Sequence, residues 1–354
     1  MPKIETSVLL LGEYVPQRLI ELAKLADESQ YDVLWYADER FFREVYSGLT
    51  LAAVNTKRIH LGTCVTDPYS RHPALTAMAI ATLDEMSEGR AVLGVGAGVS
   101  GFGPLGVKRE KPVVAIREMV EVISKLLTGA EVDYHGQLIH LSHGQLDFKP
   151  LRSRVPVYIA SNGELGLALA GQVADGAIMQ GAVAPRTIDW MLTNIARGAK
   201  KAGRELSAID RVARINVCIA EDSKAAKDKM RSGLARSLIA TQPEFPTFKV
   251  ARLEVTAEMR ERVKALGYTY DPEKLAPVAQ LIPDEYVDAL TLAGTVDEIA
   301  AGVLRLVHCG ITHVEVFPIA LEGNVERVIS DFANRVMPVV NRDLQSRDEE
   351  SKRG

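Results

Sequence analysis

Cysteine is scarce in this chain. Cys64, Cys218 and Cys309 are the only three, and no two stand at C-x-x-C spacing. An odd, scattered set excludes a disulfide framework and a cysteine-based zinc site. It fits a reducing compartment, so the expected location is cytoplasmic. No run of ~18 apolar residues occurs, which excludes a membrane-spanning helix. The N-terminal stretch has one early lysine, Lys3, but no apolar run leading to a small-residue cleavage site, so no secretory signal is expected. Charge of one sign is lacking too. A formal net charge of -4 leaves no electrostatic footprint for nucleic acid or an anionic membrane. The remaining partner class is a small-molecule substrate.

What is present is core material and a repeat. Hydrophobic residues make up 47% and charged residues 25%, enough to bury a large interior. Short apolar runs ending in Gly or polar residues alternate with stretches of 3.6-residue periodicity. The strand expectations are Ser7–Leu11, Val33–Ala37, Ile59–Val65, Ala91–Val95, Val157–Ala160, Gly176–Met179, Arg214–Ala220 and Thr312–Phe317. Helices are expected at Pro16–Glu28, Val45–Asn55, Ala74–Met86 (closed by Gly89), Val113–Leu127, Glu164–Val173, Thr187–Ala202, from Ser223 onward, and at Val325–Val340. Eight β/α repeats in one chain predict an α/β fold, a (β/α)8 TIM barrel. Two insertions interrupt it. Residues 131–150 alternate polar and apolar around Gly136 and Gly144, as a small hairpin does. Residues 241–292 are helical and rich in proline, a lid or a dimer surface. The expected organisation is one domain over 1–345 and a charged, frayed tail over 346–354.

In such a barrel the chemistry sits where strands end. Gly96-Ala-Gly98-Val-Ser-Gly101 spells G-x-G-x-x-G, but Phe102-Gly-Pro104 forbids the helix that a dinucleotide fingerprint would open. Its glycines still let backbone N–H groups approach an anion or a flat ring. Ser161-Asn162-Gly163 starts a helix, either as an anion site or as an ordinary cap. Gln180-Gly181, Glu221 and Phe317-Pro318 end later strands, with Gln180 and Gly181 as candidate cofactor contacts and Phe317 as a candidate on the substrate side. After strand three, Arg71 either grips an oxyanion or orders the next helix. His72 either moves protons or serves the helix start ahead of Pro73. Asp38, Glu39 and Glu13 are candidate acids, and of the adjacent pair at most one faces the site. His135, His140 and His143 fall on the hairpin, where alternation splits them between faces, so no metal site is expected.

The run Leu83-Asp-Glu-Met-Ser-Glu-Gly-Arg-Ala-Val-Leu-Gly-Val-Gly-Ala-Gly98 resembles the signature of the luciferase-like monooxygenase superfamily. Leu61-Gly-Thr-Cys-Val-Thr-Asp-Pro-Tyr-Ser-Arg-His-Pro73 is similar to a loop of its methylenetetrahydromethanopterin reductase branch, which uses the deazaflavin coenzyme F420. Ala174-Asp-Gly-Ala177 and Leu292-Ala-Gly-Thr-Val-Asp-Glu298 fit as well. The resemblance implies a flavin-like ring at the barrel mouth, leaning on a non-prolyl cis peptide at Cys64–Val65 with Thr63 before it. It implies a phosphate held by Gly96, Ala97, Gly98, Ser161, Asn162 and Gly163, and a homodimer. It also exposes departures. Leu9 stands where the reductases carry a glutamate, and Glu39 and Val99 stand where dehydrogenase relatives carry His and Glu. Glu39 is therefore the first choice of acid, with Asp38 and Glu13 behind it. The expected activity is hydride transfer between F420 and a small molecule with a C=O, C=N or C=C bond. An FMN-dependent monooxygenase and a non-catalytic flavin-binding protein are the alternatives, and a nicotinamide in the ring site is a further cofactor option.

Overall fold

Runs of Val, Ile, Leu and aromatic residues that are buried on both faces become strands of a parallel sheet. The computed structural model, which describes residues 4–98, 102–267, 269 and 271–353, opens with β1 (Glu5–Leu10), α1 (Pro16–Glu28), β2 (Val33–Tyr36), α2 (Val45–Ala53), β3 (His60–Thr63), α3 (Pro73–Met86), β4 (Ala91–Val95) and α4 (Pro112–Leu126). Next come the hairpin strands β5 (Val132–His135) and β6 (His140–Gly144), then β7 (Val157–Ala160), α5 (Glu164–Val173), β8 (Gly176–Gln180), α6 (Pro185–Lys201) and β9 (Asp210–Ile219). The rest holds α7 (Ser223–Thr241), α8 (Pro246–Ala251), α9 (Ala257–Lys264), α10 (Pro272–Ala279), α11 (Asp284–Leu290), β10 (Leu292–Gly294), α12 (Val296–His308), β11 (His313–Pro318), α13 (Val325–Asp331) and α14 (Met337–Arg353).

The strand order is β10-β9-β11-β1-β2-β3-β4-β7-β8, and β8 returns to pair with β9. Eight strands thus close the parallel (β/α)8 TIM barrel that the repeat predicts. The short β10 lies along the end of β9, Leu292 opposite Val217. The hairpin expected within 131–150 forms, with His135 opposite His140. Proline and acidic caps set several helix starts. Pro16, Pro73 and Pro112 open α1, α3 and α4, and Thr295 with Glu298 forms a capping box on α12. No helix among the described residues is long and apolar enough to cross a membrane.

Three expectations are corrected. The seventh barrel strand begins at Asp210, ahead of Arg214, because its polar inward residues break the apolar run that sequence reading follows. A strand appears at Leu292–Gly294, too short to register as a period. The charged tail is helical rather than frayed, since α14 continues to Arg353. Gln, Arg, Glu and Lys have good helix propensity, and this needs no apolar stripe.

The described residues divide into two compact units. In the unit of Leu9–Ile178 and Thr193–Asp210, Trp35 meets Tyr158 edge to face at 5.3 Å between centroids. The Tyr158 hydroxyl reaches the Asp210 carboxylate at 3.1 Å. Contacts from β2 to β7 and on to the start of β9 identify the inner face of the barrel. Glycine makes room for these rings: a Cβ on Gly62 would come within 2.3 Å of the Trp35 ring. Asp84, 1% exposed, ties α3 to β4, accepting from the Ala91 N–H at 3.2 Å and from both Nε and Nη2 of Arg152. In the other unit, α7 to α11 pack on a core of their own. Met230, Leu234, Leu238, Phe248, Val263, Val278 and Val287 gather there with Cys218 of β9.

Asp84→Ala leaves the Arg152 guanidinium and the Ala91 N–H without their carboxylate. Breaking one partner of such a pair costs about 3 kcal/mol. Urea unfolding followed by circular dichroism should show that loss, and Asp84→Asn should recover part of it.

Candidate active site

The mouth of the Leu9–Ile178 unit begins where β3 and β4 end together. Thr63 is buried. Its hydroxyl donates to the Gly94 carbonyl at 2.7 Å and accepts from the Gly94 N–H at 3.1 Å. The Cys64 N–H donates to the Tyr36 carbonyl at 2.9 Å. The Cys64–Val65 peptide bond is cis, as the resemblance implies. The chain then re-pairs with the end of β4, the Thr66 N–H donating to Gly94 and the Gly96 N–H to Thr66. Val65 lies against Gly96, where a Cβ would come within 2.7 Å of its Cγ2 and 3.4 Å of the Ala160 carbonyl of β7. Gly98 takes a φ of 63°, a conformation glycine adopts freely. The Arg109 guanidinium holds its carbonyl. Ala97 is half-buried beside it. Val99, Ser100 and Gly101 lie outside the described residues.

Charged groups line the same mouth. Asp67 is fully buried, accepting from the N–H groups of Tyr69 and Ser70 at 2.8 Å, from the Ser70 hydroxyl at 2.6 Å and from Arg40. Arg40 in turn stacks over Phe102, 4.0 Å to the ring centroid. Arg71 pairs with Glu44 at 2.8 Å and lies over the Tyr46 ring. Among these cations stands Asp38. Burial raises its carboxyl above the usual carboxylate range. The Thr66 hydroxyl, Arg71 and Arg40 pull it partly back, while Asp67 adds to the rise. Burial and the charge of Asp38 also raise the Tyr46 phenol. Tyr46 Oη, Thr66 Oγ1 and Arg40 Nε are buried with no hydrogen bond of good geometry. Buried donors and acceptors of this kind want a polar ligand edge.

The other candidates are distributed around this cluster. Glu39 is half-buried, and its carbonyl closes a turn with the Phe42 N–H. Glu13 is exposed, and its carbonyl accepts from Arg43. His72 is exposed and caps α3, its Nδ1 accepting from the Ala74 N–H at 3.1 Å. Its Nε2 then carries the proton toward the His140 carbonyl, 3.3 Å away. Ser161 Oγ accepts from the Gly163 N–H at 3.1 Å. Gly163 is the N-cap of α5, and no side chain caps that helix, so its first N–H groups are open to an anion. Asn162 is half-buried between them. In the other unit Gln180 is exposed, the Gly181 N–H donates to the Arg214 carbonyl, and Phe317 packs beneath the Arg214 guanidinium. Glu131, Asp133 and His143 of the hairpin region stand close enough to share a cation, all exposed, with His143 engaged to Glu131 at 2.8 Å.

Several functional groups escape sequence reading. Arg40 and Tyr46 carry no motif, and Thr66, although inside the run Leu61–Pro73, is not singled out by it; they become visible only when the segments after β2 and β3 meet. Arg214 and Glu315 had a usable signal, since each is a charged residue inside an apolar strand.

The family model described as luciferase-like monooxygenase matches residues 5–313. The 5,10-methylenetetrahydromethanopterin reductase of Archaeoglobus fulgidus is 35% identical over 307 residues, 85% of this chain and 91% of that protein. An F420-dependent glucose-6-phosphate dehydrogenase of Nakamurella multipartita is 30% identical over 295 residues, 78% and 83% of the two. The structure of the coenzyme F420 dependent tetrahydromethanopterin reductase from Methanopyrus kandleri superposes with a TM-score of 0.85 at 27% identity, covering 95% of this chain and 99% of that one. The chain belongs to the luciferase-like monooxygenase family.

Proposed function

We propose that this protein is an F420-dependent oxidoreductase acting on a small organic substrate with a C=O, C=N or C=C bond. The observation that carries the reading is Asp38, a half-buried carboxyl held above the usual carboxylate range, near the Tyr46 and Thr66 hydroxyls that lack a hydrogen bond of good geometry and beside a glycine loop that approaches at backbone level. The names of its relatives point the same way.

When bound, the deazaflavin would supply or accept the hydride. The residues that fit it are Cys64 and Val65 on the ring side, Gly96, Ala97 and Gly98 along the chain leading away from it, and the open N–H groups at the start of α5 on the phosphate. Asp38 serves the proton. A carboxyl that stays protonated further toward neutrality can donate to a substrate oxygen or nitrogen and take the proton back in the reverse direction. Thr66, Arg71 and Arg40 temper the rise that burial causes, and the charge of Asp38 raises the neighbouring Tyr46 phenol. Glu39, one residue on and engaged in the turn at Phe42, stands second for this role.

Titration with F420 and, separately, with FMN tests the cofactor. Fluorescence should report saturable micromolar binding of F420 and weaker binding of FMN, and binding of neither sinks the proposal. Asp38→Asn tests the acid. Its turnover should fall about 10²-fold or more, with Glu39→Gln close to wild type. The stability effect has a definite sign. The folded chain binds the Asp38 proton more tightly than the unfolded chain does, so ionised Asp38 destabilises the fold at neutral pH. Asp38→Asn should therefore melt higher than wild type at pH 7, and the gap should close as pH falls into the ordinary carboxylate range.

A further inference from the structure

The unit that contains most of β9, α7 and β11 places a second charged pair on the inner face of the barrel. Alternation along β9 puts Arg214 and Asn216 on the same face as Asp210, whose carboxylate meets Tyr158 inside the barrel. Glu315 of β11 lies opposite Arg214 in the strand register. The Arg214 side chain is 17% exposed, the Glu315 side chain 0%, and Nε stands 3.7 Å from Oε1. The Phe317 ring lies 5.2 Å from the Arg214 Cζ. Beyond that ion pair and ring, no acceptor among the described residues lies within hydrogen-bonding distance of the guanidinium. A guanidinium carries five N–H donors. The partly exposed guanidinium leaves those donors open to water and to the oxygens of a ligand.

We infer that Arg214 forms a carboxylate-binding site on the β9–β11 face, an inference that goes beyond the functional reading above. The guanidinium offers paired N–H groups at the spacing of two carboxylate oxygens. Phe317 supports its flat face, leaving the edge available. Glu315 decides which anion fits. With that carboxylate behind it, the pair is close to neutral, which suits a monoanion and disfavours a dianionic phosphate. Asn216, half-exposed one position further along the same face, supplies an amide to the same ligand. A Cβ on Gly233 of α7 would stand 3.4 Å from Asn216 Nδ2. Helix α7 therefore covers this place without filling it.

The test titrates the full chain with acetate, butyrate, benzoate, benzamide and inorganic phosphate, read by calorimetry. At least one of the three carboxylates should bind saturably, with benzamide and phosphate weaker. Arg214→Gln should weaken that carboxylate about tenfold or more. Arg214→Lys, which keeps the charge and loses the fork, should fall between. Glu315→Gln removes the competing negative charge and should tighten carboxylate binding and admit phosphate, a gain that a purely structural ion pair would not give. Absence of binding by all three carboxylates overturns the inference, as does equal affinity for benzoate and benzamide, or unchanged carboxylate affinity in the folded Arg214→Gln or Arg214→Lys protein. F420 titration of the same proteins separates the two ideas. Loss of F420 binding in wild type defeats the functional reading alone, while the carboxylate series still decides Arg214.

Discussion

The mouth of this barrel depends on one close approach between two strands. The Thr63 carbonyl oxygen lies 2.0 Å from where a Cβ on residue 94 would stand, a distance only glycine permits. The Thr63 hydroxyl meets the backbone of the same glycine in both directions, as donor and as acceptor. With β3 and β4 locked at this point, the Cys64–Val65 loop and the Gly96–Gly98 loop leave the sheet side by side. The two loops proposed for the ring and for the chain leading away from it follow from that adjacency. A methyl group at residue 94 would part the two strands before it touched any ligand.

The signature that places the chain in its family is largely architecture. Asp84, deep within the run Leu83–Gly98, holds Arg152 and the Ala91 N–H. Glu88 and Gly89 turn the chain out of α3 at φ values of 56° and 85°. Arg90 bonds the carbonyls of Ala53, Thr56 and Ile59. Of that run only the terminal glycines reach the candidate site. A match built on such residues therefore speaks to the scaffold, and the reaction has to be argued from Asp38, Tyr46, Thr66 and Arg214.

Much of this was legible in the sequence. Eight apolar runs separated by helical periods gave the barrel, because a doubly covered sheet demands that pattern. The glycine loop was readable as a backbone surface once Pro104 ruled out a helix. Which of Asp38 and Glu39 turns inward was not legible. Alternation limits the choice to one of the two, but the raised pKa of Asp38 reflects its surroundings in the fold, including Thr66, Asp67 and Arg71 of the loop after β3. Glu315 and Arg214 were hidden differently. Each looks like an interruption of a strand, and only the register between β9 and β11 makes them partners. The helical tail was missed because pattern reading follows burial, while α14 ends on propensity.

The helical insertion has a consequence for how such an enzyme diversifies. Its interior is assembled from α7 to α11, with Cys218 of β9 and Ala293 of β10 against it, so its side chains answer first to one another. Effects at sites that share no neighbours combine nearly additively. Substitutions within this core can therefore accumulate as a set of their own, compensated by neighbours on α7 to α11.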